Sequence, residues 1–193
     1  MGGGIGVEAG NPIIYCIGNE QLLNHPCKTA FLCSRRVPEA YTTMILRWAN
    51  QLSAESDCVI CGNHSPMERA VFKVLLRRRI PTVLALAETF TERSSDIEAA
   101  LSQQTLLIVT HCEPSIHFAT GRSAYDRNLL MIRLAQQIVV GYCTPNGNIE
   151  KQVFGRPNVH DLSATHHASL SNPSFFRGYQ VFATVIKRWL TIR

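Results

Sequence analysis

Short apolar runs bounded by turn residues alternate along the chain with segments in which apolar positions recur every three to four residues. Residues 29–33, 57–61, 81–86, 106–109 and 137–142 are too short for helices and suit strands buried on both faces. Behind Pro38-Glu39, the residues Tyr41, Met44, Ile45, Trp48, Ala49 and Leu52 share one face of a helix. Ser65 suits an N-cap, Pro66 suits the first helical position, and Glu68 completes the spacing of a capping box, which predicts a helix reaching about residue 79. Residues 96–103 form a short helix capped by Ser94 or Ser95. Between the last two apolar runs, a long polar loop over 110–126 holds His111, Cys112, Glu113 and His117, and Arg127-Asn128 is expected to open the following helix. Strands alternating with helices in this way predict an α/β fold: a Rossmann-like, doubly wound, mainly parallel sheet with helices on both faces.

The flanks carry a weaker pattern. Residues 1–21 are expected to be a flexible or lead-in segment, since successive glycines do not readily repay their ordering entropy. Residues 22–154 form the Rossmann-like domain. Residues 155–193 are a loop followed by a C-terminal amphipathic helix with Phe175, Phe176, Tyr179, Phe182, Ala183, Ile186, Trp189 and Leu190 on its apolar face. That helix packs either on its own domain or on a second copy, which is the homodimer reading.

Composition narrows the class only modestly. A chain of 193 residues, 46% hydrophobic, can bury one substantial core. The net charge of +5 permits contact with nucleotides or nucleic acid without requiring it. Seven cysteines are an odd number, and several lie inside apolar runs where a free thiol packs as a small hydrophobe; this favours a reducing cytoplasm. No apolar stretch of about 18 residues could span a membrane, and the start lacks the pattern of a signal peptide.

In a parallel sheet the polar turns after the strands gather at the carboxyl edge, where ligands bind. The phosphate-binding candidates there are Ser34, Arg35, Gly62, Asn63, Ser65, Arg122, Arg127 and Asn128: arginine binds phosphate through two N–H groups, and small polar turns admit its oxygens to the backbone. Arg36 and Asn146 fall at the same edge. Cys58 and Cys61, three apart on a strand, point to opposite faces, so no metal site is expected. No cofactor is expected either; no complete phosphate loop of the Gly-Lys-Thr type occurs, and no nucleophile elbow is visible. No catalytic residue is assigned; His111, Glu113 and His117 are the acid–base groups a nucleotide-acting enzyme would use.

Several of these motifs resemble a known family. Phe31-Leu32-Cys33-Ser34-Arg35 resembles the strand and Gly-Ser-Arg turn that open the DNA-processing protein A (Smf-like) fold, and Gly62 resembles that family's second glycine-containing turn. Glu113-Pro114 is similar to its Glu-x-Pro loop, and Arg127-Asn128 before Ile138-Val139-Val140 to its Arg-Asn helix. The likeness spans about residues 22–148 and implies the Rossmann-like sheet shared with the LOG-type phosphoribohydrolases. It also implies a binding domain for single-stranded DNA, or for a nucleotide or phosphate ligand. Cys33 stands where the family has its first glycine, and Glu113 and Pro114 are adjacent rather than one apart. Most of the phosphoribohydrolase Pro-Gly-Gly loop is missing, and Val153 occupies the place of its catalytic glutamate. The resemblance therefore implies binding more than hydrolysis. An interaction module built on the Phe175 helix is the remaining alternative.

Overall fold

The structure is a computed structural model and describes residues 13–91 and 94–164. The glycine-rich start and the amphipathic segment around Phe175 to Leu190 lie outside the described residues.

All five expected strands form. They are β2 (Lys28–Cys33), β3 (Cys58–Cys61), β4 (Thr82–Leu86), β5 (Leu106–Thr110) and β6 (Gln137–Tyr142). Two further strands, β1 (Tyr15–Gly18) and β7 (Val159–Asp161), complete a seven-stranded sheet in the order β1-β5-β4-β3-β2-β6-β7. Neither was anticipated. β1 sits in what read as a lead-in segment and pairs antiparallel with β5, whereas β7 sits in what read as loop and pairs parallel with β6. Both are short edge strands: β7, Val-His-Asp, carries no apolar run, whereas the run Ile13-Ile14-Tyr15-Cys16-Ile17 between Pro12 and Gly18 was a strand signal for β1 that the lead-in reading passed over.

The helices divide between the two faces of the sheet. α1 (Glu39–Gln51), α2 (Pro66–Arg77) and α3 (Ser95–Ser102) cover one face, where Phe31, Val59, Cys61, Leu84 and Ile108 meet Ile45, Val71, Leu75 and Ile97. The Phe31 and Trp48 rings stack there at 5.1 Å, worth about 0.5–1.5 kcal/mol beyond burial. α4 (Gly121–Leu134) and α5 (Asn148–Val153) cover the other, where Ala30, Leu32, Cys58, Ile60 and Val109 meet Leu130, Met131 and Ile149. Cys58 and Cys61 thus lie in opposite halves of the core, as their strand spacing requires.

Helix starts follow local chemistry. Ser65 accepts from Glu68 N–H at 3.1 Å while the Glu68 carboxylate accepts from Ser65 N–H at 2.7 Å, the expected capping box of α2. Ser94 is the cap of α3. α4 corrects the expectation for its region: it begins at Gly121, capped by Thr120, and not at Arg127-Asn128. Its capping box pairs Thr120 with Ser123, and serine in place of the usual Glu or Gln hides the signal. The loop after β5 accordingly ends at Thr120. α5 was also missed, since six residues are too few to show a period.

Candidate nucleic-acid interface

The strand order reverses at β2. From β2 the chain winds outward through β3, β4 and β5 on one side, then returns to place β6 on the other. Loops leaving β2 and β6 therefore depart toward opposite faces and leave a crevice at the carboxyl edge between them, the usual ligand position in such sheets. Ser34 N–H donates to the Tyr142 carbonyl at 2.8 Å, and Ser34 Oγ accepts from Thr144 N–H at 2.9 Å, closing the floor between the two strands. Above it lies a crevice of about 360 Å³ walled by Ser34, Arg35 and Arg36 on one side and by Thr144, Gly147 and Asn148 on the other.

Arg35 and Arg36 also wall a second, wider groove of about 780 Å³ that runs over the start of α2. Asn63, His64 and Arg69 continue this wall, and Glu88 and Phe118 face it from the loops after β4 and β5. Arg35 Nη2 lies 3.1 Å from His64 Nε2; since a guanidinium can only donate, this contact requires a lone pair on Nε2. Arg69 Nη1 donates to the His64 carbonyl at 2.7 Å, so the loop after β3 is held between two arginines. Phe118 is 83% exposed, which for a phenylalanine at the rim of a basic groove leaves a flat apolar face in contact with water.

Of the sequence candidates, Ser34, Arg35 and Asn63 line this pair of hollows. Ser65 is buried and caps α2. Arg122 is exposed on α4 and bonded to Asp126 at 2.8 Å one turn on, and it lines neither hollow. Arg127 and Asn128 are corrected from the open end of a helix to its interior: they are 4% and 9% exposed. Arg127 lies six residues past Gly121, about 9 Å down the axis, on the same inward stripe as Leu130 and Met131. Its Nη2 pairs with Glu68 Oε1 at 3.5 Å across the carboxyl end of β3. Gly62 makes room for that pair: a Cβ there would overlap Arg127 Nη1 and stand 2.8 Å from Glu68 Oε1. Asn128 Nδ2 donates to Gln152 Oε1 at 3.2 Å, and Gln152 Nε2 to the Tyr125 carbonyl at 2.9 Å, tying α5 to α4.

Gly62, Ser65, Arg127 and Asn128 are thus the frame of the edge rather than its surface. Arg69 and Glu88 were not identified from the sequence. Ser65 as N-cap would have placed Arg69 in the first turns of α2 near the same edge, whereas nothing local marks Glu88. The acid–base candidates His111, Glu113 and His117 line neither hollow. Burial, the larger influence, pulls the His111 pKa below its ordinary value, with Asp126 opposing and Arg127 adding to the shift. Among the described residues no cluster of three metal-ligating side chains occurs, and no helix is long and apolar enough to cross a membrane.

No family profile matches the sequence, and no curated protein matches it. Solved structures do resemble it. DNA processing protein A from Helicobacter pylori, described as having a unique single-stranded DNA binding mode, superposes with a TM-score of 0.65 at 16% identity, covering 94% of this chain and 90% of that one. DNA processing protein A from Streptococcus pneumoniae superposes with a TM-score of 0.62 at 14% identity, covering 78% of this chain and 55% of that one. At such identities the likeness establishes a shared α/β fold, and the structural neighbours of this chain are DNA processing protein A structures.

Proposed function

We propose that the chain binds single-stranded nucleic acid, single-stranded DNA foremost, along the groove over the start of α2. The observation that carries this reading is the exposed Phe118 face beside Arg35, Arg36 and Arg69 in one groove. Binding a single strand needs cations that follow the phosphates and an aromatic face for an unpaired base, and stacking on such a face is worth about 1–3 kcal/mol per base. A duplex keeps its bases paired and stacked, so it has nothing to offer Phe118. The resemblance to DNA processing protein A supports the same choice, and Ser34, Arg35 and Asn63 are the sequence candidates that would touch the ligand. A second reading is a nucleotide or other phosphate ligand in the narrower crevice, whose 360 Å³ is within the size range of small-molecule sites.

Fluorescence anisotropy with a labelled thymidine oligomer, its duplex, and a nucleoside monophosphate as competitor tests both readings. Three phosphate contacts give a logarithmic salt slope of about −2 for a single strand, and Arg35→Ala should make it shallower by about 0.7. Binding that is independent of Arg35 and Arg36, or absent at low salt, would refute the single-strand reading. Full displacement by the mononucleotide would favour the narrower crevice.

A further inference from the structure

A carboxylate is out of place in a groove that takes phosphates. Glu88 nevertheless faces the hollow walled by Arg35, Arg36 and Arg69. Its bonding explains the position. Glu88 Oε2 accepts from Ala119 N–H at 2.8 Å, and Thr89 N–H donates to the Ile116 carbonyl at 2.6 Å. These two bonds flank Phe118 on either side. The same loop is fastened at its root, where Thr110 Oγ1 donates to the Glu88 carbonyl at 2.9 Å and accepts from Cys112 N–H at 3.1 Å. Phe118 itself packs against almost nothing, so the backbone on each side fixes where its Cα–Cβ bond stands at the groove, while the ring stays free to turn onto a base.

We propose that Glu88 is the positioning residue of the groove, holding through the Ala119 N–H the backbone that carries Phe118 at the rim, within reach of a base. The inference rests on the single-strand reading above. A hydrogen bond to an ionised acceptor is stronger than a neutral one, which suits a carboxylate to a loop that has no core of its own. The competing role, a negative charge that tempers the attraction of the arginines, predicts the opposite sign: removing the carboxylate would tighten binding to every polyanion.

The experiment compares Glu88→Ala, Glu88→Gln, Phe118→Ala and the double variant Glu88→Ala/Phe118→Ala. Their affinities are measured for a thymidine oligomer and for an abasic oligomer of equal length. Amide hydrogen exchange at Phe118 and Ala119 is followed in parallel. Phe118→Ala should weaken thymidine binding roughly 5- to 150-fold, the range of one lost stacking contact. Glu88→Ala should lose most of the same factor, and the double variant no more than Phe118→Ala alone. Abasic binding should be no weaker in Glu88→Ala, whose Ala119 amide should exchange faster. Glu88→Gln, whose neutral amide oxygen still accepts from Ala119 N–H but more weakly, should recover part of both the thymidine affinity and the exchange protection lost in Glu88→Ala. Tighter binding of both oligomers by Glu88→Ala, or failure of Glu88→Gln to recover any of the lost binding, would overturn the positioning role. Wild-type protein that bound neither oligomer would overturn the nucleic-acid reading instead, and the exchange rates would still decide whether Glu88 holds the loop.

Discussion

Replacing Gly62 with alanine isolates the buried contact that joins the two faces of the sheet. The backbone there is not left-handed, so on conformational grounds alone alanine would stabilise the protein by about 0.4–1 kcal/mol. The side chain reverses the sign. A Cβ at position 62 overlaps Arg127 Nη1 and stands 2.7 Å from Cζ, so the guanidinium must leave its place beside Glu68. Glu68 cannot follow, since its other oxygen is held by Ser65 N–H at 2.7 Å and His64 N–H at 3.2 Å. Breaking a buried ion pair costs about 3–5 kcal/mol, because an uncompensated charge remains inside. Subtracting the backbone gain leaves a net loss of about 2–4.6 kcal/mol, or roughly 4–18 °C in Tm for a domain of this size. Urea unfolding of Gly62→Ala, Arg127→Leu and the double variant measures it. In the Arg127→Leu background the overlap with the guanidinium has gone and only the 2.8 Å approach to Glu68 Oε1 remains, so adding Gly62→Ala should cost less than about 1 kcal/mol. A Gly62→Ala protein as stable as the wild type, or a fully additive double variant, would refute the argument.

Two further outcomes follow from burial. His111 has a lowered pKa in the folded protein, so below its ordinary value of 6.5 the unfolded chain takes up a proton that the folded one resists. Its contribution to stability is present above that pH and fades as the pH falls toward the folded value. A urea midpoint followed from about pH 7.5 to about pH 5 should decline less steeply in His111→Gln than in the wild type, and equal slopes would contradict the assignment. Thiol reactivity should also be sharply graded. Cys27 is exposed, while Cys33 and Cys58 are buried and pushed up to about 12, chiefly by burial, and Cys61 is raised for the same leading reason. An aromatic disulfide at about pH 8 should therefore modify Cys27 first and leave these three until the protein unfolds. A fast phase that survives Cys27→Ala would be evidence against this order.

The parallel core was legible because its strands must be apolar on both faces. Runs such as residues 29–33 and 106–109 have no other use in a chain of this size, and the Ser65-Pro66-Glu68 pattern marks a helix start through bonds between near neighbours. From those facts alone came the α/β class and the placing of Ser34, Arg35 and Asn63 together at the carboxyl edge, where they line the two hollows. The edge strand β7 escaped notice because a half-exposed strand of three residues carries no such constraint, while β1 lies in an apolar run, residues 13–17, whose antiparallel partner β5 is far along the chain. Arg127 was misplaced for a related reason. An arginine reads as solvent-facing until a partner removes its charge from the account, and that partner, Glu68, is supplied by a helix on the opposite face of the sheet. The groove itself depends on contacts of the same long range. Arg35 follows β2, Arg69 rides on α2, Glu88 follows β4 and Phe118 follows β5, and it is the strand order that brings them to one wall. Local patterning settles which segments become strands and helices, because burial and capping act between near neighbours; which side chains share a groove is settled by packing between segments far apart in the chain, where no local period records it.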